Sequence, residues 1–320
     1  MNQKDYDKAL ADLSESIRLD PGFVVAYDAR SLVHRRKGDL DKAIADLDEV
    51  IRLDPKGVQA YVSRGEVQAL KGKYDKAMAD FSKAIELEPK NPWRWERRGV
   101  IYVRQGKWDP AIADLSKMVQ LEPTNACALA WLASARLGAG RPDEYRKDFA
   151  EMLRRFGQTD RPVHAYLVAA TCTVGPDATA DWPSVVALAE KAANRNPNRW
   201  GYVCVLGAVL YRAGRFEEAV QRLTQADQLA KDDYLVPAEP WFFLAMAHHR
   251  LGHGEESKKW LGNAVAWTEN ALREHEQGVK EFPWIPAIKV KLLRQEAEAL
   301  LKSGPVNAPQ NKEGQQKPKP

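Results

Sequence analysis

Residues 58–91 read VQAYVSRGEVQALKGKYDKAMADFSKAIELEPKN. Tyr61 and Gly65 stand four apart, on one face of a first helix. Ala77, Phe81 and Ala84 follow i, i+4, i+7, the spacing of a buried stripe on a second helix. Gly65 and Ala77 carry little side chain, so the two helices can cross closely. Gly72 permits the left-handed backbone that closes the first helix. Pro89 cannot continue the second helix and pushes Glu88 out of the helical region. The stretch therefore predicts a helix, a tight turn and a returning helix.

Outward from this stretch the same positions recur every 34 residues: Pro21, Pro55, Pro89 and Pro123; Gly38, Gly72 and Gly106; Ala43, Ala77 and Ala111. The string AxADL or AxADF begins at Ala9, Ala43, Ala77 and Ala111. The flanking units supply Tyr27, Ser31, Leu47 on one side and Trp95, Gly99, Trp108, Leu115 on the other. A generic amphipathic bundle would not hold this register. The period and the order of small, aromatic and Pro positions resemble the tetratricopeptide repeat. That resemblance implies an all-α, superhelical solenoid of antiparallel helix pairs with a C-terminal capping helix. It also implies a non-catalytic scaffold that binds a partner peptide or helix in a concave groove.

The domain order follows from the register. Residues 1–22 match only the second helix of a repeat, through Tyr6, Ala9, Leu13 and Pro21. With no helix before it, Ala9, Leu13 and Ser16 are expected to face an empty slot. Self-association through this open end, a chain that is the distal part of something longer, and a simple charged cap all fit. Residues 24–159 hold repeats one to four, the fourth drifted, with Tyr145 in place of a small residue and Gly157 in place of Pro. Residues 160–199 form a divergent unit, with helices expected near His164–Thr171 and Val185–Asn194 around an inserted loop, Cys172–Pro183. Residues 200–271 restore the register as repeats six and seven, the last helix running on toward Gln277. Pro283 and Pro286 are expected to break the chain around Trp284. Residues 284–302 give the capping helix, with Ile288, Leu292, Leu293, Ala297 and Leu300 at helical spacing. Residues 303–320 are polar and rich in Pro, Gln and Lys, a composition that predicts disorder.

Composition narrows the class. The 48 basic and 44 acidic residues leave a net charge of +4, too small for a strong nucleic-acid footprint. No apolar run approaches membrane-spanning length, and 1–20 is a charged helix rather than a signal peptide, so a cytoplasmic protein without membrane contact is expected. Cys127, Cys172 and Cys204 lack paired spacing and read as reduced, half-buried thiols.

Catalytic motifs are nearly absent. There is no GxSxG and no kinase HRD or DFG set. His248, His249 and His253 are the densest ligand cluster, and a metal-dependent enzyme built on them is the weakest of the readings. Zinc would need a third and usually a fourth ligand, and Gly252 is expected to turn His253 away while His248 packs. No metal or other cofactor is expected. Asp46, Asp80 and Asp114 recur in phase and read as a repeat surface before they read as catalytic acids.

The tetratricopeptide resemblance implies that the groove is lined by set positions of each first helix. By register these include Asp28, Leu32, Arg35 and Arg36 in the first repeat, and Val62, Glu66, Ala69 and Leu70 in the second. The third supplies Trp93, Glu96, Val100, Val103 and Arg104. The later units add Tyr211 and Arg212, then Phe242, Met246, His249 and Arg250. Arg36, Arg104, Arg212 and Arg250 share the thirteenth position, and in line they would form a basic track for an acidic partner. Their place at helix ends, where cations complement the dipole, is the plainer explanation. The Lys and Asn pattern that holds the C-terminal carboxylate of heat-shock chaperones is missing: its places carry Asp28, Leu32, Ser63, Trp93 and Arg97.

The last third resembles the C-terminal tetratricopeptide region of large bacterial multidomain proteins, some with a serine/threonine kinase or WD40 domain. The resemblance rests on Leu206–Ala219, Trp241–Trp260 and LLRQEAEALL at 292–301. It implies, as an alternative, the C-terminal segment of a larger signalling protein.

Overall fold

The computed structural model describes residues 3–230, 238–276 and 284–303, with sixteen α-helices and no strand among them. Two compact units divide at Ala128/Leu129.

The amino-terminal unit holds α1 (Gln3–Leu19), α2 (Val24–Lys37), α3 (Leu40–Leu53), α4 (Val58–Leu70), α5 (Tyr74–Leu87), α6 (Pro92–Arg104) and α7 (Trp108–Leu121). Each first helix packs on its own second helix and on the second helix of the preceding pair. Phe81 shows why the pair at 58–87 closes. Its ring is buried among Tyr61, Val62, Ala77, Ala84 and Ile101, a burial that stabilises by roughly 2–3 kcal/mol. Gly65 leaves it room, because a Cβ there would lie 2.9 Å from the ring. Gly72, at φ 71°, takes the left-handed conformation that closes α4, and the amide of Lys73 donates to the carbonyl of Gln68.

Polar side chains repeat with the helices. Asp46, Asp80 and Asp114 are buried and each accepts two hydrogen bonds from an arginine of its own first helix, Arg30, Arg64 and Arg98. Each arginine also reaches the preceding second helix, at Ser14, Asp48 and Ser82. The in-phase aspartates thus tie the two helices of their own pair, and the arginines tie each pair to the one before. α1 has no fully buried side chain among those described, and Ala9, Leu13 and Ser16 are half-buried.

The carboxy-terminal unit takes in most of α8 (Ala126–Gly138), then α9 (Pro142–Phe156), α10 (Pro162–Cys172), α11 (Trp182–Arg195), α12 (Trp200–Arg212), α13 (Phe216–Leu229), α14 (Glu239–Arg250), α15 (Gly254–Glu276) and α16 (Trp284–Lys302). Tyr145 replaces a small residue without leaving a clash. Its buried ring points toward α10, where the hydroxyl donates to the carbonyl of Thr171 at 2.8 Å. The inserted loop is not a surface appendage over its first half, because Thr173, Val174 and Ala178 are buried. Nor are the cysteines all half-buried: Cys127 is, but Cys172 and Cys204 are fully enclosed, and all three are free thiols. Pro286 does not break α16, since it falls in the first turn, where a missing amide leaves no helix bond unmade. Residues 277–283 and 304–320, which include most of the expected tail, lie outside the described residues.

The expected C-terminal helix is present, but it does not simply extend the stack. In the preceding pairs a new first helix rests mainly on the previous second helix, as α12 does on α11 and α14 on α13. α16 instead packs chiefly on the first helix α14 and only slightly on α15.

Candidate functional site

The residues expected to line a groove separate into two surfaces. In the amino-terminal unit the first helices α2, α4 and α6 are tied through Glu66. Its carboxylate accepts from Arg35 of α2 at 2.7 Å and lies 3.4 Å from Arg97 of α6. Arg97 also lies 3.4 Å from Glu96. Glu96 is buried, and burial pushes its carboxyl above the ordinary range; Arg97 opposes this and Glu66 adds to it. Large apolar side chains at groove positions stay in solvent: Leu32 is 44% exposed, Leu70 40% and Trp93 45%. Arg36 is exposed. Arg104 is half-buried, and its Nε is enclosed without a hydrogen-bond partner. Between α2 and α4 lies a cavity of about 260 Å³ lined by Asp28, Ser31, Leu32, Arg35, Ser63 and Glu66. That is below the size of a typical small-molecule site.

In the carboxy-terminal unit the expected residues are mostly not accessible. Phe242 is 0% exposed, Tyr211 is buried, and the Arg212 side chain is 5% exposed. The cause for Arg212 is α16. Glu296 accepts from both terminal nitrogens of Arg212, one at 2.8 Å, and the carbonyl of Thr173 accepts a third bond at 3.1 Å. Arg212 therefore does not stand in an open basic track with Arg36 and Arg104. Arg250 remains exposed. A second ion pair joins buried Lys289 of α16 to Glu239 at the start of α14. The sequence held one signal of this arrangement: a lysine, Lys289, four residues before Leu293 on the apolar stripe of α16.

The histidine cluster also differs from expectation. Gly252, at φ 77°, does end the turn after α14, but it folds the chain back rather than away. The amide of His253 donates to the carbonyl of His248, and the two Nδ1 atoms face each other at 3.2 Å. Burial, then the neighbouring His253, holds the His248 ring below its ordinary pKa. Among the described residues no group of three or more His, Cys, Asp or Glu side chains is placed to hold a metal ion, and no helix is long and apolar enough to cross a membrane.

Residues 29–92 match the tetratricopeptide repeat family model. No curated protein matches the chain. Among solved structures, a tetratricopeptide repeat protein from Parabacteroides merdae ATCC 43184 is similar over 89% of this chain and 99% of its own, with a TM-score of 0.55 at 14% identity. Yeast Tom70 is similar over 94% of this chain and 59% of its own, with a TM-score of 0.51 at 17% identity. The fold is an all-α tetratricopeptide-repeat fold.

Proposed function

We propose that the chain is a non-catalytic interaction scaffold, and that the inner face of α2, α4 and α6 captures an extended segment of a partner protein. The observation that carries this reading is the Glu66 tie, which holds three first helices side by side while Leu32, Leu70 and Trp93 stay in solvent beside it. Preorganised polar groups next to exposed aromatic and aliphatic anchors are what a peptide interface needs. The exposed Arg36 favours a segment with acidic residues. The compartment proposed is the cytoplasm. Self-association is a second reading for α1, favoured by exposed Leu19 at its carboxy-terminal end and by Phe23 and Val25 where α2 begins; light scattering at rising concentration tests it.

The groove is tested by peptide display on the full chain. Selected peptides should carry acidic residues, bind at micromolar strength, and lose tenfold or more in affinity on Trp93→Ala or Arg36→Glu (about 1.4 kcal/mol or more). Peptides that bind both variants as well as the parent would place the interface elsewhere.

A further inference from the structure

We infer that the inner face of α12 and α14 is a groove for an amphipathic helix of a partner protein, with α16 as its resident occupant, displaced when the partner helix binds. This inference concerns the carboxy-terminal unit and does not rest on the peptide groove proposed for the amino-terminal one.

Three features of α16 are those of a bound ligand. It lies on the first helices, packing chiefly on α14 and reaching the end of α12 through Glu296. One face carries most of the contact: Lys289, Val290, Leu293 and Ala297 are buried, while Lys291, Gln295 and Ala299 on the opposite side are exposed; Ile288, near the helix start, is buried on that second side as well. The contact has polarity. Lys289 pairs with Glu239 and, seven residues on, Glu296 pairs with Arg212, so about 10 Å of helix is pinned at both ends with opposite charges. Reversing the helix would set Lys289 against Arg212 and Glu296 against Glu239.

The same pairs explain why this helix can leave. Buried ion pairs contribute little net stability against hydration of their separated charges, and they are better at fixing register than at adding strength. When α16 departs, Arg212, Glu239, Lys289 and Glu296 all regain water. The Arg212 guanidinium, 5.3 Å from the centre of the Phe243 ring and 5.8 Å from that of Tyr211, stays positioned to take another carboxylate. The partner is thereby defined by chemistry: a helix with a basic residue, apolar residues four and eight positions after it, and an acidic residue seven positions after it. This is helix-in-groove recognition. Because α16 is tethered, at an effective concentration on the order of millimolar, a partner must exceed it in contact area to displace it.

Hydrogen exchange on the full native chain provides the first test. Amides of α16 should exchange at least about tenfold faster than those of α12 and α14, through local release. Exchange of all three helices together would make α16 a fixed part of the core and overturn the inference. The second test uses a labelled peptide of residues 284–302 as probe. The full chain carrying Leu293→Asp should bind it at one to one, the parent at least about tenfold more weakly, and a peptide with Lys289→Glu and Glu296→Lys should not bind. A folded Leu293→Asp chain that ignores the peptide would also overturn the inference; if that variant does not fold, the exchange result decides alone. A parent dimer formed by mutual exchange of α16, seen by light scattering, would replace the partner helix with a second copy and likewise overturn it.

Discussion

Arg64 and Asp80, sixteen residues apart, are joined by two hydrogen bonds of 3.0 and 2.6 Å, and the pair recurs one period earlier as Arg30–Asp46 and one later as Arg98–Asp114. Arg64 also reaches Asp48 of the preceding pair at 2.7 Å, so it couples neighbouring repeats. Removing Arg64 leaves the buried Asp80 carboxylate without its partner, whereas removing Asp80 leaves a half-buried Arg64 still bonded to Asp48. Arg64→Ala should therefore destabilise the chain by about 3 kcal/mol in urea unfolding, and Asp80→Ala by less. Replacing both, as Arg64→Met with Asp80→Leu, should cost much less than the sum of the single changes. A double variant as unstable as that sum would show that the two side chains act independently.

Gly65 and Gly99 occupy equivalent places in adjacent repeats but should answer differently to alanine. A Cβ on Gly65 would sit 2.9 Å from Phe81, whose ring is buried and cannot move aside. One on Gly99 would meet Asp114 and Leu115 at 3.4 Å, an ordinary contact. Alanine gains about 1 kcal/mol of helix propensity at either site, and crowding at Gly65 costs about 1–3 kcal/mol. Thermal unfolding should place Gly65→Ala below the parent and Gly99→Ala at or above it, with Phe81→Leu restoring the first. Equal shifts for both would mean that backbone propensity alone is at work.

The contrast marks what could be read from sequence. Period, turn glycines and buried stripes recur, so each copy supports the others and the helix pairs were legible from Gly65, Phe81 and Pro89 alone. Register also singles out Leu70, Trp93 and Arg36, and all three are exposed. What could not be read was which surfaces another segment covers. Arg212 and Glu296 are 84 residues apart, and no local pattern links them. Likewise the left-handed turn at Gly252 was foreseeable, but not that its backbone bond would bring His253 onto His248.

The thiols separate by burial. Cys172 and Cys204 are fully enclosed, and burial pushes the Cys172 thiol up to about 12 and raises that of Cys204 well above its usual range. The reactive species is the thiolate, so neither should be alkylated by iodoacetamide at pH 8 while the chain is folded. Half-buried Cys127, raised less by burial, should react slowly. Mass spectrometry should find label on Cys127 alone until urea is added. Early label on Cys172 or Cys204 would reveal local opening of α10 or α12.

Asp148 sets a pH dependence of unusual sign for a carboxylate. It is paired with Arg136 at 2.5 Å, yet its Oδ2 is buried without a partner, and burial pushes its pKa from 3.8 up to about 6 against the pull of Arg136. Between those two values the folded chain holds a proton that the unfolded chain has already released. Raising the pH through that window therefore favours unfolding, and the contribution of this group, fully present below about pH 4, is lost by about pH 6. With 1.36 kcal/mol per pKa unit, the loss approaches about 3 kcal/mol. Asp148→Asn cannot titrate, and its side-chain oxygen can still accept from Arg136. Urea unfolding at pH 4, 5, 6 and 7 should show the stability of the parent falling relative to Asp148→Asn across the first three points and running parallel to it thereafter. A constant difference across the series would mean that Arg136 outweighs burial and keeps the carboxylate charged throughout.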